Sequence, residues 1–185
     1  MAPGPGWRGC YGGVGSFQEE DVTSTESVAS TLRELLAVLE RLGVPCQAVG
    51  GLAARAHGAT RALADLDFYV PDEHLASIAE ALSHRVVRPP ARHRDAHWDL
   101  IFMALTWGGW RIEVAGADSA RVWSRTEGSW MPAGIDFAAS QVREIGGVQV
   151  PVMPVDQLIA YKRGLDRPVD RLDVTELESL HPRGA

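Results

Sequence analysis

A chain of 185 residues, 45% hydrophobic and 23% charged, has the size and composition of one soluble globular domain with a core of its own. A net charge of -6 argues against broad electrostatic capture of nucleic acid or anionic membrane, while leaving room for a local basic groove. Cys10 and Cys46 are too few for a disulfide framework, and no Cys/His spacing suggests zinc. No signal-peptide pattern and no apolar run of about 20 residues is present, so a cytoplasmic protein with no membrane partner is expected.

Residues 1–22 are rich in glycine and proline and read as a flexible leader, with the folded domain expected over 23–185. Thr23 and Glu26 fit a capping box ahead of Val28, Leu32, Leu35, Leu36, Leu39 and Leu42 at helical spacing, and Gly43 ends the run. "VPCQAVGG" reads as a short strand closing on a Gly50-Gly51 turn, and "LAARAHG" as a short helix ending at Gly58, with His57 in a packing or capping role. "LADLDFYV" is a buried strand stopped by Pro71, after which Asp72 is expected to cap a helix carrying Leu75, Ile78, Ala79 and Leu82.

A polar, basic interval follows, holding Arg85, Arg88, Arg92 and Arg94 with His84, His93 and His97. It reads either as a solvated loop or as a receiver of RNA or a phosphorylated acceptor. "WDLIFMALTW" and "WRIEVAGA" flank Gly108-Gly109 as a hairpin, and a loop-rich stretch runs from about 116 to 140. Trp107, Trp110, Trp123 and Trp130 serve either the core or the wall of an acceptor pocket. "QVREI" and "VQVPV" form a second hairpin around Gly146-Gly147. Pro154 suits the first turn of "VDQLIAYKRGL", Pro168 interrupts that helix, and "VDRLDVTELESL" adds one more. The order predicts an α/β (α+β) domain, a small mixed sheet flanked by helices with a helical C-terminal segment.

Within this frame the carboxylates carry the chemistry. Side chains alternate along a strand, so Asp65 and Asp67 share one face while Leu66, Phe68 and Val70 fill the other. Two like charges so close repel, and a hard cation such as Mg²⁺ is one reason to hold them together; an acidic, solvated strand end is the plain alternative. Glu113, flanked by Ile112 and Val114, either joins them as a third acidic group from a neighbouring strand or pairs with Arg111. Gly50 and Gly51, between a strand and a short helix, allow backbone N–H groups to approach a phosphate.

A Gly-Gly turn, the "DLD" strand and a later strand carboxylate together resemble the DNA polymerase β-type nucleotidyltransferase superfamily. "HGATRALADLD" is closer to its small bacterial branch of lincosamide and aminoglycoside nucleotidyltransferases and nucleotidyltransferase toxins. Relatives commonly carry an arginine ahead of the first aspartate, as Arg61 stands here. "IGGVQVPVMPVDQLIAYKRGLDRPVDRLDVTEL" resembles the closing segment, with Lys162 at the place of the family lysine and Asp170 and Asp173 at that of its paired acids. The resemblance covers roughly residues 28 to 180. Leu63 departs from the usual serine or threonine, and Glu113 from the commoner aspartate.

The resemblance implies transfer of a nucleoside monophosphate from a nucleoside triphosphate to a hydroxyl, with release of pyrophosphate. Asp65 and Asp67 would hold Mg²⁺, and Glu113 would complete a second metal site or take the acceptor's proton. Backbone at Gly50 and Gly51 would cradle phosphate, and Arg61 and Lys162 would offset charge on the leaving group. Asp170 and Asp173 would support the site, or pair with Arg167 or Arg171. Three readings follow: an enzyme modifying a small hydroxylated, antibiotic-like molecule; a toxin modifying tRNA, with an antitoxin partner; or a catalytically silent nucleotide-binding module of the same fold.

Overall fold

The structure, a computed structural model, describes residues 19–182. Helix α1 (Glu19–Arg41) buries Val28, Leu32, Leu35 and Leu39 on one face. It already runs through Thr23, so the expected cap at Thr23 and Glu26 is a stretch of helix interior; of the expected leader, 1–18 lie outside the described residues and 19–22 belong to α1. Strand β1 (Gln47–Ala48) leads into α2 (Gly50–Ala56), so Gly50 and Gly51 form the helix's first turn rather than a turn before it. Next come β2 (Leu66–Val70), the short helix α3 (Leu75–Ala81) and β3 (Val86–Arg94).

Strands β4 (Trp98–Trp107) and β5 (Trp110–Gly116) form the expected hairpin, with Trp107 opposite Trp110 and Gly108 and Gly109 at φ 56° and 82°. The mirror-image turn that a two-residue hairpin prefers requires such angles. Beyond it lie β6 (Arg121–Ser124), β7 (Ser129–Pro132), β8 (Gln141–Ile145) and β9 (Val148–Val152). The chain closes with α4 (Val155–Leu165) and α5 (Pro168–Leu180). Among the described residues no helix is long and apolar enough to cross a membrane.

The strands make one mixed sheet in the order β7-β6-β4-β5-β2-β1-β9-β8, with β3 paired to β4. Pairs β2–β5 and β1–β9 are parallel and the rest antiparallel. Asp99 pairs with both Arg94 of β3 and Arg121 of β6, so β3 lies along one edge of β4 while β5 and β6 share the other. All five residues of β2 are buried, as a central strand covered on both faces should be. The α/β class with a small mixed sheet and C-terminal helices therefore stands.

Two local expectations are overturned, and the loop-rich stretch gains a short hairpin. The basic interval is strand β3, whose Pro89 and Pro90 are tolerated at an edge where the register shifts. Its cations are engaged: Arg85 lies 3.8 Å over the Trp107 ring, Arg88 4.0 Å over Phe102, and Arg92 pairs with Asp99 at 2.6 Å. The stretch 116–140 holds the β6–β7 hairpin, fastened by an edge-to-face Trp123–Trp130 contact at 5.7 Å. Asp72 does not cap α3; its carboxylate accepts from the backbone N–H groups of Asp118 and Ser119, while its own N–H donates to Asp118.

Trp107 and Trp110 seat the hairpin against α1, donating to Glu34 and Ser27 at 3.3 and 3.1 Å. They serve packing there, not an acceptor wall. His57 ends α2 with its ring 2.8 Å from the Met153 carbonyl, and burial lowers its pKa. This is the packing and capping role expected of it.

Candidate active site

The site forms where the N-terminus of α2 meets the start of β2. The Val49 N–H donates to the Asp67 carbonyl at 3.0 Å, drawing the two segments together. Gly50 then packs so close that a β-carbon there would lie 2.3 Å from Asp67 Oδ2, and its φ is 62°. Only glycine meets both conditions without strain. Gly51 has a looser fit, with Arg61 Nη2 at 3.1 Å from the place a β-carbon would occupy.

Asp67 is buried within β2, and the partly exposed Asp65 lies one residue before the strand begins. The parallel register sets Asp67 directly beside Glu113 of β5, so their side chains share a face of the sheet. Glu113 also takes a 2.6 Å hydrogen bond from Arg111 Nε on its Oε1, the pairing that was one of the two readings of this residue. The remaining oxygens are bare: Asp67 Oδ1 and Glu113 Oε2 are buried without a hydrogen-bond partner among the described residues.

These contacts leave the carboxylates electrostatically stressed. Burial, then the Glu113 charge, pushes the Asp65 carboxyl up to about 6. Burial, then Asp65 and Glu113, holds Asp67 well above the usual carboxylate range, against the pull of Lys162 and Arg167. Crowded, desolvated carboxylates with open oxygens are the donor chemistry of a hard-cation site. Among the described residues no three such side chains yet converge into a cation cage.

The opposite wall is cationic and built from the C-terminal helices. Lys162 is only 2% exposed, and its Nζ lies 2.7 Å from Asp173 and 3.5 Å from Asp170. Arg61 grips the same Asp173 with two hydrogen bonds, at 2.8 and 3.1 Å. Burial would raise the Asp173 carboxyl, yet the hydrogen bonds from Arg61 and Lys162 hold it below its ordinary value. Asp170 takes the Arg167 guanidinium at 2.5 and 2.9 Å. Arg171 turns instead to Asp166.

Gly50, Gly51, Arg61, Asp65, Asp67 and Lys162 thus line one pocket. Glu113 is not among the lining residues; it stands alongside Asp67 on β5 and is bonded to Arg111. Asp170 and Asp173 sit behind the cations, 0% and 1% exposed, as their counter-ions. Trp98, Tyr161 and Arg167 also line the pocket, and sequence reasoning did not place them there. From the sequence, Arg167 reads only as an ion-pair partner of Asp170 or Asp173. No spacing rule brings β4 next to α4, where the Trp98 indole N–H donates to the Tyr161 hydroxyl at 3.0 Å.

Residues 31–177 match the aminoglycoside-2''-adenylyltransferase family. No curated protein matches the chain in sequence. Among solved structures, the Thermotoga maritima protein TM1012, described as a nucleotidyltransferase, is 20% identical over 85% of this chain and 95% of its own, with a TM-score of 0.63. The lincosamide antibiotic adenylyltransferase LnuA with lincomycin bound is 15% identical over 82% and 96%, at a TM-score of 0.54. The structure of ANT(2'')-Ia in complex with adenylyl-2''-tobramycin is 18% identical over 82% and 87%, at 0.53. At such identities these structures share the fold, and the family match carries the assignment. The chain belongs to the aminoglycoside-2''-adenylyltransferase family and is a nucleotidyltransferase.

Proposed function

We propose that this chain, through one domain over 23–185, transfers the nucleoside monophosphate of a nucleoside triphosphate, ATP foremost, to a hydroxyl of a small antibiotic-like acceptor in the cytoplasm. One observation carries the reading most. Asp67 and Glu113 stand side by side in register, each with a bare buried oxygen, beneath a glycine that no other residue could replace without moving Asp67. The adenylylated tobramycin in one structural neighbour and the lincomycin in another supply the acceptor class.

The residues divide the work as follows. Asp65 and Asp67 would hold Mg²⁺, which when bound supplies charge neutralisation to the triphosphate and to the attacked phosphorus, while Glu113 serves as the base. Backbone N–H groups at Gly50 and Gly51 orient phosphate oxygens. The acceptor hydroxyl forms its bond to the α-phosphorus, its proton passes to Glu113 Oε2, and the bond to the β-phosphate oxygen breaks to release pyrophosphate. Arg61 and Lys162, fixed by Asp173, face that departing charge across the pocket. Asp170 and Asp173 keep the cations in place.

The basic strand offers little to a tRNA, because Arg85 and Arg88 lie over rings and Arg92 and Arg94 share Asp99. The small-molecule acceptor is therefore preferred over tRNA, and no antitoxin is invoked. The test is pyrophosphate release with each nucleoside triphosphate and Mg²⁺, against aminoglycosides, lincosamides and total tRNA. Release is expected with a small acceptor and should vanish in Asp65→Ala and in Asp67→Ala. Activity surviving both substitutions would remove the carboxylates from the mechanism. Nucleotide binding without release for any acceptor would mark a silent module instead.

A further inference from the structure

The pocket's cations differ in what they have left to offer. Arg61 spends Nε and Nη2 on Asp173 and directs Nη1 to the Ala62 carbonyl at 3.3 Å. Lys162 is almost wholly buried between Asp170 and Asp173. Arg167 uses Nε and Nη2 on Asp170, while its Nη1 makes no hydrogen bond among the described residues. Its side chain is 18% exposed and lines the pocket together with Asp65 and Asp67. Three cations against two carboxylates on this wall leave one positive charge uncancelled, and Arg167 meets the cavity with an Nη1 that no carboxylate holds.

That guanidinium is also held still. Asp170 grips one edge through two hydrogen bonds, and the Trp98 ring lies beneath it with 4.7 Å from Cζ to the centroid. The ring is fixed in turn by its 3.0 Å hydrogen bond to Tyr161. Arg167 is the N-cap of α5, with Pro168 following, so its backbone is constrained as well. A planar fork with its rotamer already set loses little entropy on meeting an anion, and it matches two phosphate oxygens at once.

We propose that Arg167 is a polyphosphate-binding residue of this enzyme, receiving the pyrophosphate portion of the nucleoside triphosphate, with Trp98 and Asp170 as its positioning residues. The proposal rests on the nucleotidyltransferase reading of the same pocket. It gives Lys162 and Arg61 the lesser share of direct contact, because Asp173 already claims them. It also explains why an arginine stacked on an indole stands in the wall of a pocket that must bind and then release an anion.

The experiment measures binding of inorganic pyrophosphate, ATP and AMP to the full chain by calorimetry, for the wild type, Arg167→Gln and Arg167→Lys. Thermal melts confirm that each variant is folded. Arg167→Lys keeps a cation for Asp170, so it guards against the case in which Arg167→Gln fails to fold. Loss of one charge-assisted fork is expected to weaken pyrophosphate and ATP about tenfold or more in Arg167→Gln. Arg167→Lys should fall between that variant and the wild type, and AMP binding should change less than twofold in both. Unchanged pyrophosphate affinity in a folded variant overturns the proposal, as does an equal loss for AMP, which a merely structural role would produce. A wild type that releases pyrophosphate with an acceptor while Arg167→Lys binds pyrophosphate normally sinks this inference alone. A wild type that binds neither ATP nor pyrophosphate sinks the nucleotidyltransferase reading with it.

Discussion

Replacing Gly50 by alanine tests the contact on which the carboxylate geometry depends. Two costs add at this position. The backbone at φ 62° is a left-handed conformation that costs an alanine about 1–2 kcal/mol. The new methyl would also stand 2.3 Å from Asp67 Oδ2 and 3.3 Å from its Cγ, inside contact distance, so something must move. The Asp67 side chain is short and rooted in a central, fully buried strand, which leaves it the choice of a new rotamer or a displaced α2. A misplacement of about 1 Å at reacting groups costs about 100-fold in rate. Gly50→Ala should therefore lose more in urea unfolding than the backbone cost alone, about 1–2 kcal/mol, and about 100-fold in pyrophosphate release.

Gly51→Ala is the control within the same turn. Its φ is ordinary, and the nearest atom is the end of the Arg61 guanidinium at 3.1 Å, which can shift by a few tenths of an ångström. Its stability should stay within about 0.5 kcal/mol of the wild type, with most of its activity kept. Wild-type turnover in Gly50→Ala, or like behaviour of the two variants in both assays, would show that the Gly50–Asp67 contact does not set the carboxylate geometry.

Other consequences can be measured on the same protein. Asp67→Asn removes a buried carboxylate whose ionised form is opposed by burial and by its neighbours, so it should abolish turnover while raising the melting temperature in metal-free buffer; a lowered melting temperature would contradict the repulsion argument. The Asp65 carboxyl is raised to about 6 from 3.8. A carboxyl raised on folding contributes stability that is present below about pH 4 and lost as the pH rises through about 6. The thermal shift caused by Mg²⁺ should thus be larger at pH 7.5 than at pH 5, and that difference should shrink in Asp65→Asn. Lys162→Met leaves Asp170 and Asp173 with one cation each. It should cost about 2–3 kcal/mol in urea unfolding, less than the full loss of a buried pair because Arg167 and Arg61 remain. A cost under 1 kcal/mol would mean that Lys162 is not integral to the wall.

Where local chemistry decides structure, the sequence was informative. The leucines of α1, the paired glycines of both long hairpins, and the apolar run around Asp67 each carry their own geometry, and the structure follows them. Strand β3 was hidden because its stabilisation comes from outside it: Arg88, and Arg85 just before the strand, lie on rings of β4, and prolines at an edge resemble a loop when the neighbour is unknown. The burial of Lys162 was equally hidden, since an α4 lysine looks solvated until two aspartates of α5 close over it. The same applies to Trp98 and Arg167, whose contact depends on how α5 meets the sheet. Periodicity and turn chemistry reveal the elements, whereas the walls of the pocket are made by their assembly.

The shared grip of Arg61 and Lys162 on Asp173 has a consequence for synthesis. Arg61 and Asp173 are 112 residues apart, so the strand bearing the carboxylates leaves the ribosome long before the helix that balances their cationic neighbours. A nascent chain can fold most of its sheet early and still lack a charge-balanced pocket until α5 emerges. A fragment stopped before Pro168 would keep the Asp-Leu-Asp strand and its glycine turn but could not hold Lys162 or Arg61 in place. The last helix is thus the latch that turns a folded sheet into a finished candidate site.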